Sequence, residues 1–148
     1  MTPPTHTPRV LLAEDNVDHA FFTTRAFQDA QGTEVEMHTV TDGEQVLDYL
    51  YQRGGFAGVG RPHLIVLDLK MPKKNGLEVL AAIADDEGLR RIPVVVLSSS
   101  DRPEDIDESY ARGANSYVTK PASASGLHDG LIELAKYWME LASLPEPA

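Results

Sequence analysis

The chain has 148 residues, 42 % of them hydrophobic and 24 % charged, with no cysteine. That length suits one domain with one good core, and the missing cysteines exclude disulfides, zinc–thiolate centres and thiol catalysis. Thirteen basic against 23 acidic residues leave a net charge of −10, which argues against the basic stripe of a nucleic-acid binder.

In chain order, residues 1–8 hold three prolines and three threonines and are expected to be a disordered tail. They have neither a cationic start nor an apolar stretch, so no secretory signal is expected there. No apolar run elsewhere approaches membrane-spanning length, and the expected location is the cytoplasm. Val10 to Ala13 reads as a buried strand ending in Glu14-Asp15-Asn16. Asp18 is a candidate cap for a helix over 19–29, closed by Gly32. Val35, Met37 and Thr39 alternate with Glu36 and His38, the pattern of a half-exposed strand. Thr41-Asp42-Gly43-Glu44 starts a helix carrying Val46, Leu47 and Leu50, which ends near Arg53. A glycine-rich loop covers 54–60.

The next strand, 63–68, is a continuous apolar run that ends in Asp68. Asn75 and Gly76 open a helix with Leu77, Leu80, Ala81 and Ala84 on one face. Pro93 heads Val94 to Leu97, a third fully apolar strand, for Pro is tolerated at a strand's first residue. Pro103 suits the first turn of a helix, which Gly113 closes. Ser116 to Thr119 is a short fifth strand, followed by Lys120-Pro121. A last helix runs over about 125–142, and Pro145 and Pro147 end the chain as a frayed tail over 143–148. All these elements are read as one domain, 9–142.

Five βα units in a row imply an α/β fold: a doubly wound parallel sheet with helices on both faces, a three-layer sandwich. Strands one, three and four are uniformly apolar, hence central. Strand two alternates and strand five is short and partly polar, hence edges. That is the flavodoxin-like order 2-1-3-4-5, whose switch point lies between strands one and three. Both of those strands end in carboxylates.

Glu14, Asp15 and Asp68 are therefore expected to converge. Three close carboxylates repel one another unless a cation intervenes. An all-oxygen set suits a hard ion, and Mg²⁺ needs only one or two carboxylates beside a phosphate. Such an ion would hold a phosphoryl group against Asp68, and carboxylates are established nucleophiles for aspartyl-phosphate formation. Ser98, at the end of strand four, offers a hydroxyl. Lys120, at the end of strand five, offers an ammonium to a phosphoryl oxygen.

Glu14-Asp15-Asn16, Asp68 with Met71-Pro72 and Gly76, Ser98, and Tyr117-Val118-Thr119-Lys120-Pro121 together resemble the receiver domain of two-component response regulators. The resemblance covers about 9–142. It implies Asp68 as phosphoacceptor, Glu14 and Asp15 as Mg²⁺ ligands, and the Lys70 backbone carbonyl as a further one. It implies Ser98 as the switch hydroxyl, where Thr is commoner, Tyr117 as the switch aromatic, and Lys120 as the phosphate-sensing lysine. In this family the bond corresponding to Lys120–Pro121 is often cis. A narrower resemblance rests on the glycine-bearing insertion before strand three, on Ile92 to Asp101, and on Tyr137-Trp138-Met139. These resemble the single-domain regulators paired with bacterial phytochromes. That implies a light-sensing histidine kinase as phosphodonor, a downstream protein partner, and a homodimer through helix 4, strand 5 and helix 5.

Leu127, Leu131, Leu134, Trp138 and Leu141 form a helical stripe that is first a core face, with Trp138 and Leu141 available to a partner subunit. The five histidines share no ligand spacing and are read as incidental. Two other functions compete. An aspartyl-phosphate phosphatase needs a general acid two residues after its nucleophile, where Lys70 stands; the protein is therefore expected not to be an enzyme. A flavin module needs a neutral phosphate loop after strand one, where Glu14 and Asp15 would repel a phosphate.

Overall fold

The computed structural model describes residues 7–30 and 34–147. Gly32 and most of the expected N-terminal tail lie outside those residues. Five strands, β1 (Arg9–Ala13), β2 (Glu36–Val40), β3 (Leu64–Leu67), β4 (Val94–Ser98) and β5 (Ser116–Thr119), form one parallel sheet in the order β2-β1-β3-β4-β5. Five α-helices connect or follow them: α1 (Val17–Gln28), α2 (Gly43–Leu50), α3 (Gly76–Ala84), α4 (Pro103–Ala111) and α5 (Ala124–Lys136). The sheet order is the one that the apolar patterning of the strands implies.

Alternate residues of each central strand feed opposite core layers, as the pleat requires. Leu11, Ala13, Ile65, Leu67, Val94 and Val96 pack with Val46, Leu50, Val79, Leu80 and Ile83 of α2 and α3. Val10, Leu12, Leu64, Val66, Val95 and Leu97 pack with Ala26 and Phe27 of α1 and with Leu127, Leu131 and Leu134 of α5. On α3 the buried face is thus Val79, Leu80 and Ile83, while Ala81 and Ala84 are only half-buried. Of the expected face only Leu80 is fully buried; the larger Val79 and Ile83 fill the rest of the seam.

Several element ends differ from expectation. Asn16, not Asp18, caps α1: its Oδ1 accepts from His19 N at 3.0 Å. Asp18 lies in the first turn, where its charge faces the positive end of the helix dipole. The glycine-rich loop contains a 3₁₀ turn, Gly54–Phe56, and Phe56 and Val59 pack against the core. Past α5 the chain continues as a π-helical segment, Tyr137–Leu141. Trp138 packs against the α1/α5 core layer, whereas Leu141 is 76 % exposed.

The last described residues are packed against the domain. Leu144 packs on the same layer, and Glu146 meets the buried His63 ring, with Oε2 3.5 Å from Nε2. At the other terminus Pro8 O accepts from Glu36 N at 2.9 Å, extending the β1–β2 edge by a residue.

Candidate functional site

Strand register brings the acids together. Ala13 pairs with Leu67 across β1 and β3, so the residues that follow, Glu14 and Asp68, leave the ladder side by side. Asp68 N donates to Ala13 O at 3.0 Å, prolonging the β1–β3 ladder, and Glu14 N donates to Val40 O at 2.9 Å, prolonging β1–β2. Asp15 follows at the exposed mouth. One carboxylate oxygen from each of Glu14, Asp15 and Asp68 lies within 4.8 Å of the others. Beside them opens a cleft of about 630 Å³, lined by Asp15, Lys70, Met71, Ser100 and Arg102. A separate apolar groove between α1 and α5, lined by Phe21, Phe22 and Ile132, holds none of these acids.

Lys120 reaches the same point from the far edge of the sheet. Its backbone N donates to Ser98 O at 2.7 Å, which extends the β4–β5 ladder. Its ammonium then crosses in front of β4, donating to Glu14 Oε1 and, at 3.2 Å, to Asp68 Oδ2. Backbone amides serve the other two oxygens: Asn16 N donates to Glu14 Oε2 and Lys70 N to Asp68 Oδ1, each at 3.2 Å. Glu14, Asp68 and Lys120 are all at least nine-tenths buried.

Burial pushes the Glu14 carboxyl up to about 6, with Asp68 adding to the rise and the bonds from Lys120 and Asn16 opposing it. A single ammonium thus does not offset the negative charge gathered here. The donor set is oxygen only, the chemistry of a hard divalent cation. The residues fit such an ion.

Ser98 and Tyr117 make a second group beside the first. Ser98 is wholly buried at the end of β4, and its Oγ accepts from Ser100 N at 3.3 Å. Tyr117 is half-buried, and its hydroxyl donates to Ser100 O at 2.7 Å. Both side chains therefore bond to Ser100, one through its N–H and the other through its carbonyl. Cis peptide bonds are absent among the described residues, so Lys120–Pro121 is trans rather than cis.

One neighbour was missed in the sequence. His19, read there as incidental, lies with Nδ1 3.0 Å from Lys120 Nζ. Burial, and then the Lys120 charge, hold its pKa below the ordinary imidazole value. The signal was its place in the first turn of the helix that follows the Glu14-Asp15-Asn16 strand end, which opens on the crevice.

A parallel-sheet switch point with paired acids and one buried ammonium is the site of a phosphoryl-accepting α/β domain. Residues 10–132 match the family model "Response regulator receiver domain". The chain belongs to the response regulator receiver family, whose members are signalling phosphoacceptors rather than catalytic enzymes.

Similar proteins include "Probable methanogenesis regulatory protein FilR2" of Methanothrix harundinacea, 40 % identical over 94 % of this chain and 88 % of that protein. Response regulator Rcp1 of Synechocystis is 39 % identical over 74 % of this chain and 75 % of its own. The crystal structure of the Mn²⁺-bound form of response regulator Rcp1 superposes with a TM-score of 0.90, at 34 % identity over 93 % of this chain and 99 % of that one. The crystal structure of the phosphorylated cyanobacterial phytochrome response regulator RcpA also gives 0.90, at 40 % identity over 95 % of this chain and all of that one.

Proposed function

We propose that Asp68 accepts a phosphoryl group from a sensor histidine kinase and that the altered surface then signals by protein contact. The observation that carries this reading is the convergence of Glu14, Asp15 and Asp68 oxygens within 4.8 Å, with the Lys120 ammonium 3.2 Å from Asp68. In the transfer an Asp68 oxygen attacks phosphorus. An O–P bond forms, the P–N bond of the kinase phosphohistidine breaks, and the imidazole leaves with the electron pair. Glu14, Asp15, Asp68 and the Lys70 carbonyl are the groups that would hold Mg²⁺. Such an ion supplies charge neutralisation at the phosphoryl oxygens.

Lys120 offers a second positive charge to the transferred group, and Ser98 offers a hydroxyl from the end of β4. Tyr117 is the switch aromatic, tied to the same loop through Ser100.

Residues 9–142 form the receiver in this reading. The likeness to Rcp1 and to the phytochrome regulator RcpA supports a phytochrome-type kinase as donor. A kinase of two-component type transfers phosphate in the cytoplasm, and no helix among the described residues is long and apolar enough to cross a membrane. A homodimer through α4, β5 and α5 belongs to the same reading; Tyr110 of α4 and Leu141 beyond α5 are large exposed groups open to it.

The test is labelling by acetyl phosphate, where the same attack releases acetate. Wild type should label at one acid-stable, base-labile site in Mg²⁺ and not in excess chelator, and Asp68→Asn should not label. Undiminished labelling of Asp68→Asn would remove Asp68 from the role. Phosphotransfer from a phytochrome kinase, set against an unrelated kinase, tests the donor.

A further inference from the structure

His19 stands beside the site without being one of its acids. An ammonium has three N–H donors and no acceptor. Lys120 aims its three at Glu14 Oε1, Asp68 Oδ2 and His19 Nδ1. Because the ammonium can only donate, His19 must accept through the Nδ1 lone pair, which places its own proton on Nε2.

The three acceptors differ in what loading does to them. In the function proposed above, on which this inference rests, Asp68 becomes an acyl phosphate and Glu14 turns to a cation. Both carboxylates are then drawn away from Lys120. His19 alone is asked for by neither the cation nor the phosphoryl group.

His19 is also fixed in place. It sits one turn into α1, its N–H held by the Asn16 cap at 3.0 Å and its carbonyl taken by the Thr23 hydroxyl at 2.8 Å. Its side chain is about one-third exposed, at 32 %. Lys120, by contrast, crosses the front of β4 on a flexible four-carbon stem.

We propose that His19 is the positioning residue for Lys120, an anchor on α1 that keeps the ammonium at the crevice while its carboxylate partners are taken up by cation and phosphoryl group. The step is one of orientation only; no bond to His19 forms or breaks. A positioned donor loses less freedom when it meets a phosphoryl oxygen than an unanchored one.

The test measures beryllofluoride binding by ¹⁹F NMR at saturating Mg²⁺, for wild type, His19→Ala and His19→Asn. Asn places a side-chain oxygen near the position of the imidazole Nδ1 and so keeps an acceptor. His19→Ala should bind about ten- to a hundredfold more weakly, the worth of one hydrogen bond to a charged group. His19→Asn should recover most of that loss, and Mg²⁺ affinity by calorimetry should stay within about twofold for both variants. Circular dichroism of each variant confirms that α1 remains folded.

Equal or tighter beryllofluoride binding by His19→Ala would overturn the anchor. So would a loss in His19→Asn as large as in His19→Ala, which would make the effect one of ring packing. If wild type itself binds no beryllofluoride in Mg²⁺, it is the phosphoacceptor reading that fails, and the anchor falls with it.

Discussion

Lys120 Nζ lies 3.2 Å from Asp68 Oδ2 although a whole strand, β4, separates the strands that carry them. The same ammonium also reaches Glu14, at the end of β1 and 106 residues away in sequence. One cation thereby ties the ends of β1, β3 and β5 together. It is both the counter-charge of the resting site and a group that can turn to an incoming phosphoryl oxygen.

Lys120→Met keeps most of the apolar stem and removes the charge. Glu14 and Asp68 would then be buried without their cation, a situation that costs about 3 kcal/mol. The variant should unfold earlier than wild type in chelator and recover much of the difference in excess Mg²⁺. Equal thermal midpoints in chelator would show that the carboxylates find water instead.

The Glu14 carboxyl titrates at about 6 in the fold against an ordinary value of 4.5. Between those values the metal-free folded protein holds a proton that the unfolded chain has released. Stability of the metal-free protein should therefore fall as pH rises from about 4.5 to about 6 and level off above, by about 2 kcal/mol from this group. A bound cation needs the ionised carboxylate, so apparent Mg²⁺ affinity should weaken up to about tenfold per pH unit below 6. Denaturant titrations at pH 5 and pH 7, with chelator and with Mg²⁺, read both effects. A metal increment no larger at pH 7 than at pH 5 would contradict the assignment.

Gly76 opens α3 where its backbone passes against the end of β3. A Cβ there would stand 2.7 Å from Asp68 O and from Leu69 Cα, both backbone atoms that cannot swing aside. Gly76→Ala should destabilise the protein by about 1–3 kcal/mol through this overpacking and displace Asp68. Acetyl phosphate labelling should fall along with the urea midpoint. A variant of wild-type stability and labelling would mean the β3–α3 loop yields freely.

Tyr117 and Ser100 are joined by a 2.7 Å hydrogen bond from the phenol to the backbone carbonyl. Tyr117→Phe deletes the donor and leaves the ring. The expected cost is about 1 kcal/mol, seen as a lower urea midpoint at an unchanged slope. No change in midpoint would mean that water replaces the phenol without loss.

Leu141 and Trp138 separate the two readings of the C-terminal stripe. Leu141 is 76 % exposed, whereas Trp138 packs against the α1/α5 core layer. Leu141→Ser should weaken self-association in analytical ultracentrifugation with little effect on unfolding. Trp138→Ala should lower stability by up to about 3–5 kcal/mol, less where the ring is part-exposed. A monomeric wild type would sink the dimer reading; a dimer constant indifferent to Leu141→Ser would move the interface elsewhere.

The amino-acid order alone determined the alternation of strands and helices, the edges and centre of the sheet, and hence which strand ends meet. Patterning suffices there because a strand buried on both faces must be apolar throughout, while an edge strand need not be. Once the order 2-1-3-4-5 followed, Glu14, Asp68, Ser98 and Lys120 had to share one rim. The finer matters were decided only in three dimensions. Asn16 rather than Asp18 caps α1, Leu144 and Glu146 hold the C-terminal segment down, and His19 meets an ammonium 101 residues away. Local pattern reports which face of an element is buried. It carries no information on how far a helix is rotated against its sheet, and a 3 Å contact between distant side chains depends on that rotation.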